Sequence, residues 1–151
     1  MEVAEIKVSY SNTNPEKVKV TNSQIAYDVI MKQWNIDILE FQEEVKVMLF
    51  NRANILLGVY EMSKGGISGT VVDIRIILSV ALKCNASSII LVHNHPSGRL
   101  VPSEPDKAIT KRLKEACGIL EIELLDHLII SKDGFYSFNK DKVFNTHLLE
   151  L

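Results

Sequence analysis

Cysteine is scarce in this chain: Cys84 and Cys117 are the only two among 151 residues. Neither belongs to a Cys-x-x-Cys pair, and both fall late in predicted helices, where a free thiol packs as a small apolar residue. A disulfide framework or a cysteine metal site is therefore not expected. Long apolar runs are missing as well. No stretch approaches the ~20 residues of a membrane span, and Met1-Glu2-Val3-Ala4-Glu5 lacks the basic-then-apolar order of a secretion signal. A soluble, cytoplasmic protein with no membrane partner is the expectation. Charge of one sign is not in excess either: 17 Lys and Arg stand against 19 Asp and Glu, a net charge of -2. Gripping a phosphate backbone normally takes a clear basic surplus, so a DNA association is not supported by charge. Lys107, Lys111, Arg112 and Lys114 do cluster, but acidic residues interleave with them as on a solvated helix face. The glycine-bearing run Ser63-Lys64-Gly65-Gly66-Ile67-Ser68-Gly69-Thr70 lacks the order of a nucleotide phosphate loop. Its glycines suit tight turns, or the close approach of an extended substrate at a sheet edge.

What is present is enough apolar content, 46% of the residues, for one sizeable core, and one domain over 1–151 is expected. Ile6, Val8 and Tyr10 alternate with polar neighbours, which predicts a strand that residues 11–15 break. Thr21 or Asn22 can cap a helix over 23–34 whose apolar side carries Ile25, Ala26, Val29, Ile30 and Trp34. Residues 43–50 and 55–60 read as a hairpin around Asn51-Arg52-Ala53-Asn54. Asp73 caps a helix over 74–84, with Ile74, Ile77, Leu78, Ala81 and Leu82 along one side. The unbroken run Ser88-Ile89-Ile90-Leu91-Val92 is a buried strand. A helix over 104–118, a strand over 122–131, an Asp133-Gly134 turn and a last strand over 135–138 complete the chain. The fold class is α/β: a mixed, mostly antiparallel curved sheet flanked by helices.

The chemistry concentrates where that buried strand ends, at His93-Asn94-His95-Pro96-Ser97-Gly98. If extended backbone continues through His95, the i, i+2 spacing puts two of the four histidines on one face, as a pair of metal ligands. Turn residues follow, and Ser103 opens the next helix as N-cap with Asp106 as its third residue, facing the loop that the histidines border. His93, His95 and Asp106 make a three-ligand set for Zn2+, with one tetrahedral position left open, as in catalytic rather than structural sites. A structural reading also stands: Ser103-x-x-Asp106 is by itself a capping-box signature.

Upstream, Val45, Val47 and Leu49 alternate with Glu44, Lys46 and Met48, so Glu43 falls on the inward parity and Lys46 points away. A carboxylate at the head of a buried face needs a reason, yet a one-residue slip would put Glu44 there instead.

His93-x-His95-Pro96 followed by Ser103-x-x-Asp106 resembles the motif of the JAMM (MPN+, JAB) zinc metallopeptidases. The fuller string His-Asn-His-Pro-Ser-Gly, with Gly66-Ile67-Ser68-Gly69-Thr70 and Asp126-His127-Leu128-Ile129-Ile130, is similar to the RadC branch of that superfamily. The resemblance covers residues 41–138, leaving 1–40 as an N-terminal strand-helix extension. It implies a cytidine-deaminase-like/JAB-MPN sandwich and a zinc-dependent hydrolase acting on a peptide or isopeptide-linked protein. It also implies His93, His95 and Asp106 as ligands, Glu43 as general base with Glu44 as its rival, and Ser103 as oxyanion donor. Asp126 and His127 are implied as support for the ligands from behind, with a purely structural hydrogen bond as the alternative. Two other readings remain: a nuclease-related or DNA-repair-associated module, and a binding module that kept the metal but lost turnover. Full-length RadC-like proteins are expected to carry a helix-hairpin-helix module for DNA, and residues 1–40 show no such pattern. His147 and the closing Leu-Leu-Glu-Leu carry no clear signal.

Overall fold

The computed structural model describes residues 1–65 and 71–141. The run Gly66-Ile67-Ser68-Gly69-Thr70, His147 and the last four residues lie outside the described residues.

Two strands, β1 (Glu44–Phe50) and β3 (Ser88–Asn94), are buried at every position, which requires a sheet covered on both faces. They pair antiparallel from Val45 opposite His93 to Phe50 opposite Ser88. Outside β1 lies β2 (Leu56–Lys64), its antiparallel hairpin partner. Beyond β3 come β4 (Glu123–Ser131), parallel to β3, and β5 (Gly134–Ser137), antiparallel to β4. The order is β2-β1-β3-β4-β5. A parallel step cannot be closed by a tight turn, and the helix α3 (Glu104–Ile119) supplies the crossover between β3 and β4.

Alternation along each strand sorts side chains into two layers. Val45, Val47, Leu49, Ile89 and Leu91 pack on one face with Leu113 and Cys117 of α3 and with Ile77 and Ala81 of α2 (Ile74–Lys83). Met48, Phe50, Ile90, Val92, Leu128 and Ile130 pack on the other face with Ala26 and Ile30 of α1 (Ser23–Met31). Asn22 caps α1 and Asp73 caps α2, each accepting a hydrogen bond from a backbone N–H of the first turn. This is the mixed sheet flanked by three helices that the patterning predicts. Both cysteines are free, Cys117 in the core and Cys84 half-buried against it. Among the described residues no helix is long and apolar enough to cross a membrane.

Four expectations need correction. No strand forms around Ile6, Val8 and Tyr10: residues 1–14 carry no regular structure and are exposed. Alternation specifies a face but not a partner: the backbone of residues 18–20 meets the start of β2, through Val20 N–H to Asn54 O, Leu56 N–H to Val18 O, and the Lys19–Ile55 bridge, whereas Tyr10 reaches β2 through its hydroxyl, which donates to Leu57 O. Helix α1 stops at Met31, short of Trp34; the next turns tighten to i→i−3 bonds from Gln33 and Trp34, which still bury the indole. Leu82, placed on the apolar side of α2, is exposed. Lys46 does point away from Val45 and Val47, yet not to solvent. Its Nζ donates to Gln33 O at 2.6 Å and sits 4.8 Å from the centre of the Trp34 ring, because α1 and the turn after it cover that face.

Asp126 is the main polar tie on the α1 side. Its buried carboxylate accepts from Ser23 Oγ of α1 at 3.0 Å and Ser137 Oγ of β5 at 2.6 Å. It also accepts from the backbone N–H groups of His127 (2.7 Å) and Asn139 (2.9 Å). Burial pushes this carboxyl upward, and the four donors work against that shift. Asp126→Ala strands these donors in the interior and is expected to lower stability by about 3 kcal/mol in urea unfolding, whereas a loss below about 0.5 kcal/mol would contradict the tie.

Candidate metal centre

Strand β3 carries His93 on the α3 side of the sheet, and the chain stays extended far enough for His95 N–H to reach Ile130 O at 3.4 Å. The two-residue repeat therefore aims both imidazoles the same way, with Nε2 atoms 3.0 Å apart. Asp106 closes the group: its Oδ1 lies 3.3 Å from His93 Nε2 and its Oδ2 3.2 Å from His95 Nε2. This is no solvent-facing acidic patch, since the side chains of His93, Asp106 and His95 are only 4%, 15% and 18% exposed. Gly98, at a φ of +79° that side-chain-bearing residues avoid, turns the chain back after the pair.

The capping box that the spacing predicts is present, and it also fixes where the Asp106 carboxylate points. Ser103 Oγ accepts the Asp106 N–H at 3.1 Å, and Asp106 Oδ2 accepts the Ser103 N–H at 2.8 Å. The same Oδ2 faces His95. One carboxylate thus finishes the helix end and enters the histidine group.

Where the protons sit follows from groups that can only accept. His95 Nδ1 lies 2.7 Å from the Arg99 carbonyl, so Nδ1 carries a hydrogen, and a neutral ring then presents Nε2 as a lone pair. Behind His93, its Nδ1 lies 2.8 Å from Nε2 of His127, a wholly buried ring stacked on Phe138 at 4.6 Å. Burial holds His127 well below the usual histidine range, hence neutral. Its Nδ1 is 2.5 Å from Thr110 Oγ1, and Thr110 donates to the Asp106 carbonyl at 2.7 Å.

A carboxylate converging with two imidazole nitrogens in this way calls for a positive charge among them, carried by a ring proton or by a metal ion. Burial alone would raise the Asp106 carboxyl, but hydrogen bonds and charge from His93 and His95, with the Ser103 amide, hold it well below the carboxylate range. Asp106 in turn raises His95. A tetrahedral zinc ion at ~2.0–2.1 Å from each donor separates its ligands by about 3.3–3.4 Å. The two Nε2 atoms lie 3.0 Å apart and each has one oxygen of the Asp106 carboxylate within 3.3 Å, Oδ1 for His93 and Oδ2 for His95, so the residues present suit a divalent metal.

Glu43 immediately precedes β1. With Val45 opposite His93, one further pair along the same face puts Glu43 beside His95. Its half-buried carboxyl is raised chiefly by burial, while it feels the charges of His93, His95 and Asp106. Glu44 turns to the opposite face and pairs with Lys64 at 3.5 Å. What separates these neighbours is Asn94, buried between the two histidines. Its Oδ1 accepts the Glu44 N–H at 2.7 Å, and its amide donates to the carbonyls of Leu39 (2.6 Å) and Gln42 (2.9 Å). The bond from Gly65 N–H to Glu43 O, at 2.8 Å, holds the other side.

Asp126 is not part of this group: it lies on the α1 face, so of the expected pair only His127 stands behind His93. The β4 alternation separates the two side chains. Sequence reasoning passed over Asn94 and Thr110. The available signal was the same for both, a polar residue at a position where strand or helix periodicity demands burial.

The span from residue 20 to residue 143 matches the model for "RadC-like JAB domain". A UPF0758 protein of Flavobacterium johnsoniae is 43% identical over 126 residues, 83% of this chain and 54% of that relative. One from Porphyromonas gingivalis is 40% identical over the same shares, and one from Actinobacillus pleuropneumoniae serotype 5b is 42% identical over 68% of this chain and 47% of its own length. The chain spans about half the length of the curated relatives it matches. Because the matched span encloses Glu43, His93, His95, Ser103, Asp106 and the five strands that carry or brace them, the chain belongs to the RadC-like JAB domain family.

Proposed function

We propose that the protein is a zinc-dependent hydrolase of a peptide or isopeptide bond, with a peptide or isopeptide-linked protein as substrate. The observation that carries this reading is the meeting of two imidazole Nε2 atoms and the Asp106 carboxylate on the sheet face that Glu43 also borders. His93, His95 and Asp106 would hold the ion. When bound, a divalent zinc supplies Lewis-acid polarisation of a carbonyl and an acidified water.

The chain's own residues supply the remainder. Glu43, half-buried and beside the histidines, takes a proton from the attacking water and returns it to the leaving amine; burial, which raises its carboxyl, makes it a better base than an exposed glutamate. Ser103 uses its Oγ as acceptor for the Asp106 N–H, and its hydroxyl proton remains available to a developing oxyanion. Asp106, tied to the Ser103 N–H, keeps its oxygens turned toward the imidazoles without rearrangement.

Two outcomes test the reading. His95→Ala is expected to abolish the zinc that the wild-type protein takes up at one equivalent per chain, as measured by elemental analysis after gel filtration; full retention would contradict the assignment. Glu43→Gln is expected to keep the zinc and lose about 10²–10⁴-fold in turnover of isopeptide or peptide substrates. Glu44→Gln should stay within a few-fold of wild type. Equal losses in both variants, or turnover of nucleic acid with none of peptides, would overturn the proposal.

A further inference from the structure

The hydrogen bonds behind His93 form a directed chain that returns to a second member of the same group. Thr110 Oγ1 lies 2.7 Å from the Asp106 carbonyl, one helical turn back, and that oxygen can only accept. The hydroxyl proton is therefore committed, and Thr110 Oγ1 meets His127 Nδ1 at 2.5 Å as an acceptor. His127 then carries its hydrogen on Nδ1 and offers a bare Nε2 to His93 Nδ1 at 2.8 Å. His93 must donate there, so a neutral His93 keeps its own Nε2, on the side facing His95 and Asp106, free of hydrogen. Nothing in this chain of three bonds is exposed: His93, Thr110 and His127 are 3%, 1% and 1% exposed. Stacking on Phe138, at 4.6 Å and an interplanar angle of 4°, removes the remaining freedom of the His127 ring.

We propose that Thr110 and His127 are positioning residues that set the His93 tautomer, so that the first two turns of α3 dictate both where Asp106 points and which nitrogen of His93 is bare. The proposal rests on the metal-centre reading for its purpose, though not for its geometry. Without the threonine hydroxyl, His127 can move its hydrogen to Nε2, and His93 then has to protonate the nitrogen that should bind. Ligand-orienting partners of this kind typically change metal affinity by about 10–100-fold. His127 does not itself join the ligand group, because both its nitrogens are already engaged.

The test is zinc(II) affinity by chelator competition together with histidine nitrogen NMR, on wild type, Thr110→Val, Thr110→Ser and His127→Phe. Thr110→Val and His127→Phe should each weaken zinc by about 10–100-fold. Thr110→Ser, which keeps the hydroxyl, should stay within about threefold. In the wild-type spectrum, His127 should be protonated at Nδ1 only. A Thr110→Val affinity equal to that of wild type, or a serine variant as weak as the valine one, would overturn the proposal. Should wild type take no zinc, the metal-centre reading fails by itself, and the tautomers of His127 and His93 in the metal-free spectrum still decide the relay. If the valine variant fails to fold, His127→Phe and the wild-type spectrum decide it in the same way.

Discussion

Two imidazole nitrogens held 3.0 Å apart with a carboxylate beside them cannot both be bare lone pairs unless a positive charge stands between. Much of the surrounding structure maintains this arrangement. The Arg99 carbonyl fixes one ring from the loop side, and His127 fixes the other from within the sheet. The capping box of α3 delivers the carboxylate. Each of these braces is itself anchored to backbone that the fold holds firmly, so the group is organised before any ligand arrives.

The sheet explains how one strand end can serve two purposes. Pairing β3 with β1 places the residue before β1 next to the residue after β3, which is how Glu43 and His95 come to share a face from positions more than fifty apart in the chain. Asn94 faces the other way and secures the segment that leads into β1. Three consecutive residues, His93, Asn94 and His95, thus alternate between chemistry and construction because alternate strand side chains point to opposite faces.

That periodicity is also why so much was legible in the sequence. The i, i+2 histidines, the cap at Ser103 and the parity of Glu43 are local rules, and the structure places those side chains where the rules put them. Choosing Glu43 over Glu44 needed the register, which periodicity alone leaves open by one residue. What escaped depended on contacts distant in sequence. Asp126 could not be assigned to the α1 face without knowing what lies opposite it. Lys46 read as outward because a covered second face is invisible to a two-state alternation. Residues 6–10 had the pattern of a strand, but among the described residues no strand pairs with their backbone. Thr110 would have read as an ordinary helical threonine, since its meaning lies in a histidine seventeen residues away.

The central claim is that His93, His95 and Asp106 together take a divalent ion, and anomalous diffraction at the zinc edge from crystals of the zinc-loaded protein tests it most directly. The expected result is one strong peak at ~2.0–2.2 Å from both Nε2 atoms and one Asp106 oxygen. A map with no peak among these three side chains, or with the ion bound elsewhere on the chain, would contradict the account.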